Sequence, residues 1–241
     1  MSKIFTLLLF LTLGFSMACV AKSRPKVLIF SKTLRYYHES TPNGIQAIMK
    51  LGKANGFDVD TTKDAGFFTD KTLKKYAAII WLSTTGDVLN ATQQEAFERY
   101  IRAGGGYVGI HSASASEKEW PWFGRLTGAV FVSHPPDPVP GVVQVTNRKD
   151  PSTAHLPERW AWKDEWYNFN KRVSNVEVLF LADEKTFEGG TEGEYHPLAW
   201  KHAFDGGRAF YTALGHLATA YDDPLFQQHI LGGIQYAIGK H

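Results

Sequence analysis

The chain has a single cysteine, Cys19, in 241 residues. Intramolecular disulfides and multi-cysteine metal centres are therefore excluded. An excess of either charge is also missing, because 26 Lys and Arg against 24 Asp and Glu leave a formal charge of +2. That balance gives no basic footprint for nucleic acid. No internal repeat or low-complexity tract interrupts the sequence. With 44% hydrophobic and 21% charged residues, it is not a disordered chain, a collagen-like repeat or a polytopic membrane protein. The length suits one elaborated domain of roughly 200–250 residues. Aromatic residues are plentiful at 14%, which fits either a thick core or flat faces that handle sugars.

The only long apolar run is Ile4–Met17, preceded by Lys3 and followed by the small residues Ala18, Cys19 and Ala21. It is short for a membrane span and has the layout of a secretory signal peptide over residues 1–21, leaving residues 22–241 as the domain. Cleavage after Ala18 would leave Cys19 as a lipid-modifiable N-terminus, although Ser16 is a poor residue for that signal. Export to the periplasm or beyond, free or anchored through Cys19, is the expectation. Losing residues 1–21 removes Lys3 and lowers the charge from +2 to +1. It also removes or modifies the only thiol, so catalysis must rest on His, carboxylates, hydroxyls or a metal held by nitrogen and oxygen.

Lys26–Ser31, Phe57–Thr61, Ala77–Leu82 and Tyr107–Ile110 read as strands, the first and third buried on both faces. Thr41-Pro42 reads as the start of a helix with an apolar stripe of Ile45, Ile48, Met49 and Leu51, closed by Gly56. Thr92 and Glu95 suggest a capping box for a helix over Gln93–Ala103, stopped by Gly104-Gly-Gly106. Alternating strands and helices predict a flavodoxin-like, doubly wound, mainly parallel α/β sheet with helices on both faces. Val27–Phe30 should lie beside Ile79–Leu82 near its centre. Val142–Thr146, Val176–Ala182, Leu198–Phe204 and Arg208–Leu214 add strands, some of them antiparallel. A helix with the stripe Phe226, Ile230, Leu231 and Ile234 closes the chain.

Ligands of such sheets bind beyond the carboxyl ends of the strands. Tyr37, His38 and Glu39 follow the first strand, Thr84 and Asp87 the third, His111 and Ser112 the fourth, and His216 the strand at Arg208–Leu214. His111 is the most informative, since Gly109-Ile-His111-Ser-Ala113 has small residues on both sides of a strand-to-helix turn, as nucleophile elbows do. An imidazole there suits proton transfer or metal ligation. Each position also has a plain structural use, in capping, turns or core hydrogen bonds. Asp164 and Glu165 sit among aromatics in Trp160–Tyr167, and in an extended segment only one of them points into a site. Trp120-Pro-Trp122 is either a sugar platform or helix packing, and His134 opens a proline-rich loop that suits a lid.

Several stretches together resemble the trehalose-utilisation (ThuA-like) family. They are Phe30-Ser-Lys-Thr-Leu-Arg-Tyr-Tyr-His-Glu-Ser-Thr-Pro42, Gly104-Gly-Gly-Tyr-Val-Gly-Ile-His111 and Asp164-Glu-Trp-Tyr167. His196-Pro-Leu-Ala-Trp200, Gly207-Arg-Ala-Phe-Tyr-Thr-Ala-Leu-Gly-His216, Tyr221-Asp-Asp-Pro-Leu-Phe226 and His229-Ile-Leu-Gly-Gly-Ile234 complete the set. The resemblance spans roughly Lys26 to Gly239. It implies a fold like class I glutamine amidotransferases and a role in catabolism of trehalose, related disaccharides or their 3-keto derivatives. His111 stands where an amidotransferase carries its cysteine nucleophile, so glutamine hydrolysis through a thioester is excluded.

The expected enzyme uses His111 as acid/base, with His38, His216 and Glu165 as catalytic partners. Its substrate would be a small carbohydrate, held by Glu39, Tyr37, Thr84, Asp87, Ser112, His134, Asp164, Tyr167 and His196. A non-catalytic sugar-binding module and a metal-assisted hydrolase stand as alternatives. There is no His-Glu-x-x-His segment and no carboxylate-rich calcium loop. A zinc-type site built from His38, His111 or His216 with one acid stays open. The leader yields the first test. N-terminal analysis of exported protein is expected to find a chain that starts after Ala18 or Ala21, with a lipid adduct on Cys19 separating anchoring from free secretion. A retained Met1 or Ser2 contradicts export.

Overall fold

Two runs of wholly apolar residues set the centre of the sheet: Val27–Phe30 and Ala78–Leu82 are completely buried. The computed structural model describes residues 24–170 and 173–239, so the leader lies outside the described residues. Strands β1 (Lys26–Phe30), β2 (Asp58–Thr62), β3 (Ala78–Leu82) and β4 (Gly106–Ile110) form the first half. β5 (Phe131–Ser133), β6 (Val139–Val145), β7 (Arg159–Asp164) and β8 (Asn168–Phe169) follow, then β9 (Glu177–Ala182), β10 (Pro197–Phe204) and β11 (Gly207–Thr212). Nine of them make one sheet in the order β2-β1-β3-β4-β11-β10-β9-β6-β7.

β2, β1, β3, β4 and β11 are mutually parallel, and Val27–Phe30 pairs with Ala78–Trp81 as the apolar runs predict. The strands beyond β11 run antiparallel to their neighbours. The outermost parallel strand, β2, is Asp-Val-Asp-Thr-Thr, a polar sequence that suits an unpaired edge. β5 and β8 form a separate two-stranded sheet. The fold is α/β, as expected, with the parallel part concentrated in one half.

Helices α1 (Thr41–Asn55) and α5 (Pro224–Ile238) pack together on one side of the sheet, α5 lying along β4 and β11. The short α2 (Asp70–Leu73) packs on α3 (Ala91–Arg102), and α4 (Pro121–Thr127) also meets β11. The buried face of α1 is Thr41, Gly44, Ala47, Ile48 and Gly52, whereas Met49 is 48% exposed. Ile48 is buried and Ile45 and Leu51 pack against the core, so of the expected stripe Met49 alone turns outward, and Gly44 completes the face where Tyr221 and Leu82 come close. Ser40, rather than Thr41, precedes the helix, and its Oγ donates to the Gly215 carbonyl (3.0 Å) instead of capping. The capping box of α3 uses Asn90 and Gln93, not Thr92 and Glu95. It is the same exchange of hydrogen bonds, two residues earlier.

Trp122 is buried, stacked on Trp120 (5.1 Å between ring centres), and donates Nε1–H to Asp205. The Trp-Pro-Trp segment therefore fastens α4, and neither tryptophan lines the cavity described below. α5 closes so tightly on the sheet that a Cβ on Gly106 would collide with the carbonyl oxygen of Ala237. Backbone meets backbone there, so relaxation is restricted. Gly106→Ala is expected to destabilise by about 1–3 kcal/mol, read as a fall in Tm of several degrees by calorimetry.

Candidate functional site

β1, β3, β4 and β11 end side by side, and the loops that leave them meet over the carboxyl edge of the sheet. The strand order turns back between β1 and β3, the switch point at which flavodoxin-like sheets bind ligands. His38 comes from the loop after β1, His111 from the turn after β4, Glu165 from the end of β7, and His216 from the loop after β11. Their ligating atoms all lie within 4.8 Å of one another. Sequence position alone had suggested that His38, His111 and His216 meet, and the structure brings them together.

Each ring is held by its surroundings. His111 opens a 3₁₀ turn with φ +54°, a left-handed backbone that is strained for any residue other than glycine. Tyr211 Oη donates to the His111 carbonyl (2.9 Å) and keeps that turn in place. His111 Nδ1–H donates to the Ala213 carbonyl (2.8 Å), which turns Nε2 toward Tyr167 Oη (2.9 Å) and the Glu165 carboxylate. His38 packs edge-on against His111 and His216, with ring centres 4.5 and 5.3 Å away.

Asp164 and Glu165 divide the work as strand alternation requires. Asp164 is fully buried and turns away from the cavity. Its Oδ2 accepts from Gly215 N (2.8 Å) and Trp162 Nε1 (2.9 Å), while Oδ1 accepts from Glu165 N (2.9 Å) and His216 N (3.1 Å). Glu165 points the other way. Its Oε2 lies 3.1 Å from His216 Nδ1 and 3.5 Å from His111 Nε2, and its Oε1 lies 3.5 Å from His134 Nε2.

Burial and two neighbouring imidazoles push His38 down to about 2, so it is neutral at physiological pH. Burial alone would raise Glu165, but His111 and His216 outweigh it and hold the carboxyl well below the usual range. Burial opposes charge on His216 as well, and the adjacent Glu165 reverses the balance and raises it. The cluster is a fixed anion ringed by imidazoles.

A cavity of about 590 Å³ opens onto this cluster, lined by His38, Ser112, Glu165 and Tyr167 at its floor and by Tyr36, Asp87, Phe131 and His134 around them. His111 is fully buried behind Tyr167 and Glu165 and has no wall of its own in the cavity. Other predicted residues fall elsewhere. Glu39 is exposed and outside the cavity. Tyr37 turns its ring to Lys63, and its neighbour Tyr36 lines the wall instead. Thr84 is buried and accepts from Ser116 Oγ (2.8 Å). His196 bridges Glu184 (2.6 Å) and the Tyr167 carbonyl (2.7 Å), supporting the cavity floor from behind. Phe131 and Lys118 line the cavity without having been singled out, because a short strand and a turn gave them no periodic signal.

The family model for trehalose utilisation, ThuA, matches residues 26–237. This chain belongs to the ThuA family. A ThuA-like protein from Bacteroides uniformis has 26% identity and a TM-score of 0.75, over 93% of this chain and 95% of its own. A ThuA-like protein from Parabacteroides merdae shares the fold at 21% identity and TM-score 0.72, over 90% of each chain. The same fold recurs within a β-galactosidase from Bacillus circulans, at 16% identity and TM-score 0.53, over 91% of this chain but 31% of that one. None of the curated proteins matches the sequence.

Asp164 gives the test of how this ThuA-family site is held. Asp164→Asn turns an amide NH₂ toward two N–H donors that now meet a carboxylate oxygen. The expected loss is about 2–4 kcal/mol, from two charge-assisted hydrogen bonds. Chemical denaturation measures it, and histidine NMR should show the His216 ring displaced.

Proposed function

We propose that this protein is an exported enzyme of carbohydrate catabolism that acts on a small disaccharide or 3-keto-glycoside by histidine acid/base chemistry. The observation that carries this reading is Glu165, a carboxylate at the floor of an aromatic-walled cavity with imidazoles against both of its oxygens. A cavity of about 590 Å³ is within the range of small-molecule sites, roughly 300–1,000 Å³. Tyr36 and Phe131 offer flat faces to sugar rings. Binding alone needs no such titratable cluster, which favours an enzyme over a sugar-binding module.

The roles follow from access. His134, with 29% of its side chain exposed, is the imidazole that both reaches the cavity and touches Glu165. Its Nδ1–H donates to the Pro135 carbonyl (2.5 Å), which directs the Nε2 lone pair toward Glu165 and the cavity. His134 therefore carries the proton and the Glu165 anion steadies the imidazolium that forms. His111 acts from behind, through Glu165 and Tyr167. Glu165 is too strongly held as an anion to be a good base itself.

Purified protein assayed against trehalose, other disaccharides and their 3-keto forms is expected to turn over at least one of them. His134→Gln should lower kcat by about 10²–10⁴ with little change in KM, the usual worth of a general acid–base group. Sugar binding without turnover in the wild type contradicts the enzymatic reading and favours the binding module.

A further inference from the structure

We propose that His38, His111, His216 and Glu165 bind a divalent first-row transition-metal ion of the zinc type at the floor of the cavity. The inference rests on the geometry of these four side chains and does not require the substrate to be a sugar. Three imidazoles and one carboxylate, with donor atoms within 4.8 Å of one another, form a set that suits zinc, cobalt or iron and not magnesium or calcium.

The two spacings at Glu165 are those of ligands about a common point, and the widest pair of the set, at up to 4.8 Å, has to draw in when an ion binds. Zinc–nitrogen and zinc–oxygen bonds of about 2.0–2.1 Å in a tetrahedron place neighbouring ligand atoms roughly 3.3 Å apart. Glu165 Oε2 lies 3.1 Å from His216 Nδ1 and 3.5 Å from His111 Nε2, on either side of that value. His216 Nδ1 is buried and makes no hydrogen bond, despite standing 3.1 Å from the carboxylate. The two atoms are close but not aligned as donor and acceptor, as two atoms aimed at a third would be. The three rings also meet edge-on in every pairing, at 89°, 87° and 69°, with none stacked.

The supporting shell is that of a metal site as well. A ligating imidazole typically gives its other N–H to a carbonyl, which aims the free nitrogen, and His111 Nδ1 does so to Ala213. His38 Nδ1 faces Ser112 Oγ (3.4 Å). Asp164 fixes the backbone of His216 and Glu165 together. Binding exchanges the contact of His111 Nε2 with Tyr167 Oη for a metal–nitrogen bond. His38 and Glu165 line the cavity, so the ion has a side open to ligand. It would there polarise a substrate oxygen or activate a bound water.

The test uses the purified full chain, stripped with chelator and titrated with Zn²⁺ and Co²⁺. One equivalent is expected to bind, Co²⁺ should give a visible d–d spectrum of low coordination number, and Zn²⁺ should raise Tm by linkage. His216→Gln should weaken binding by about 100-fold or more, since loss of a supporting partner alone is worth 10–100-fold. His134→Gln, outside the ligand set, should bind as the wild type does. A folded wild type that takes up no stoichiometric ion overturns the proposal, whether or not His216→Gln folds. So does an ion held equally well by folded wild type and folded His216→Gln. Turnover without bound ion overturns the ion's part in the reaction and leaves the acid/base reading standing. Stoichiometric ion with no turnover does the reverse.

Discussion

The site depends on one fully buried carboxylate. Asp164 accepts four N–H groups, two on each oxygen, from Trp162, Glu165, Gly215 and His216. A buried carboxylate is costly unless its acceptor capacity is filled, and here the donors come from the end of β7 and the loop after β11. Those two segments are far apart in sequence. Satisfying Asp164 therefore brings Glu165 and His216 to a common place. The alternation of an extended chain does the rest, sending Glu165 to the face opposite Asp164.

The parallel half of the fold was legible because a strand buried on both faces has little choice of composition. Val27–Phe30 and Ala78–Leu82 are such strands, and their adjacency followed. β7, β5 and β8 were not legible as strands. They are short or half-exposed, with no apolar run to mark them. α1 and most of its apolar stripe were legible, but Gly44 and Gly52 on the same face were not, since they carry no hydrophobic signal and are needed only because Tyr221 and Val59 come so close. The box at Asn90 and Gln93 was missed because Thr92 and Glu95 carry the commoner version of the same pattern.

At the site, topology was more informative than composition. His38, His111 and His216 were singled out by standing after strand ends, and that logic holds wherever parallel strands end together. It says nothing of which way a loop side chain turns. Tyr36 and Tyr37 are indistinguishable in sequence, yet one lines the cavity and the other covers Lys63. The small residues around His111 resemble a nucleophile elbow, a turn that presents its central side chain. The Ala213 carbonyl and Tyr167 draw its ring inward instead, so this turn buries its central residue.

The start of the described chain is pinned at the opposite end of the sheet. Arg24 donates to the carbonyls of Gly52 and Phe57 (3.0 and 3.2 Å) and pairs with Asp58, all at the amino ends of β1 and β2. The cavity opens at their carboxyl ends. The first described residue and the mouth of the cavity therefore stand at opposite ends of the sheet, so a group joined near Arg24 starts out on the side away from the site.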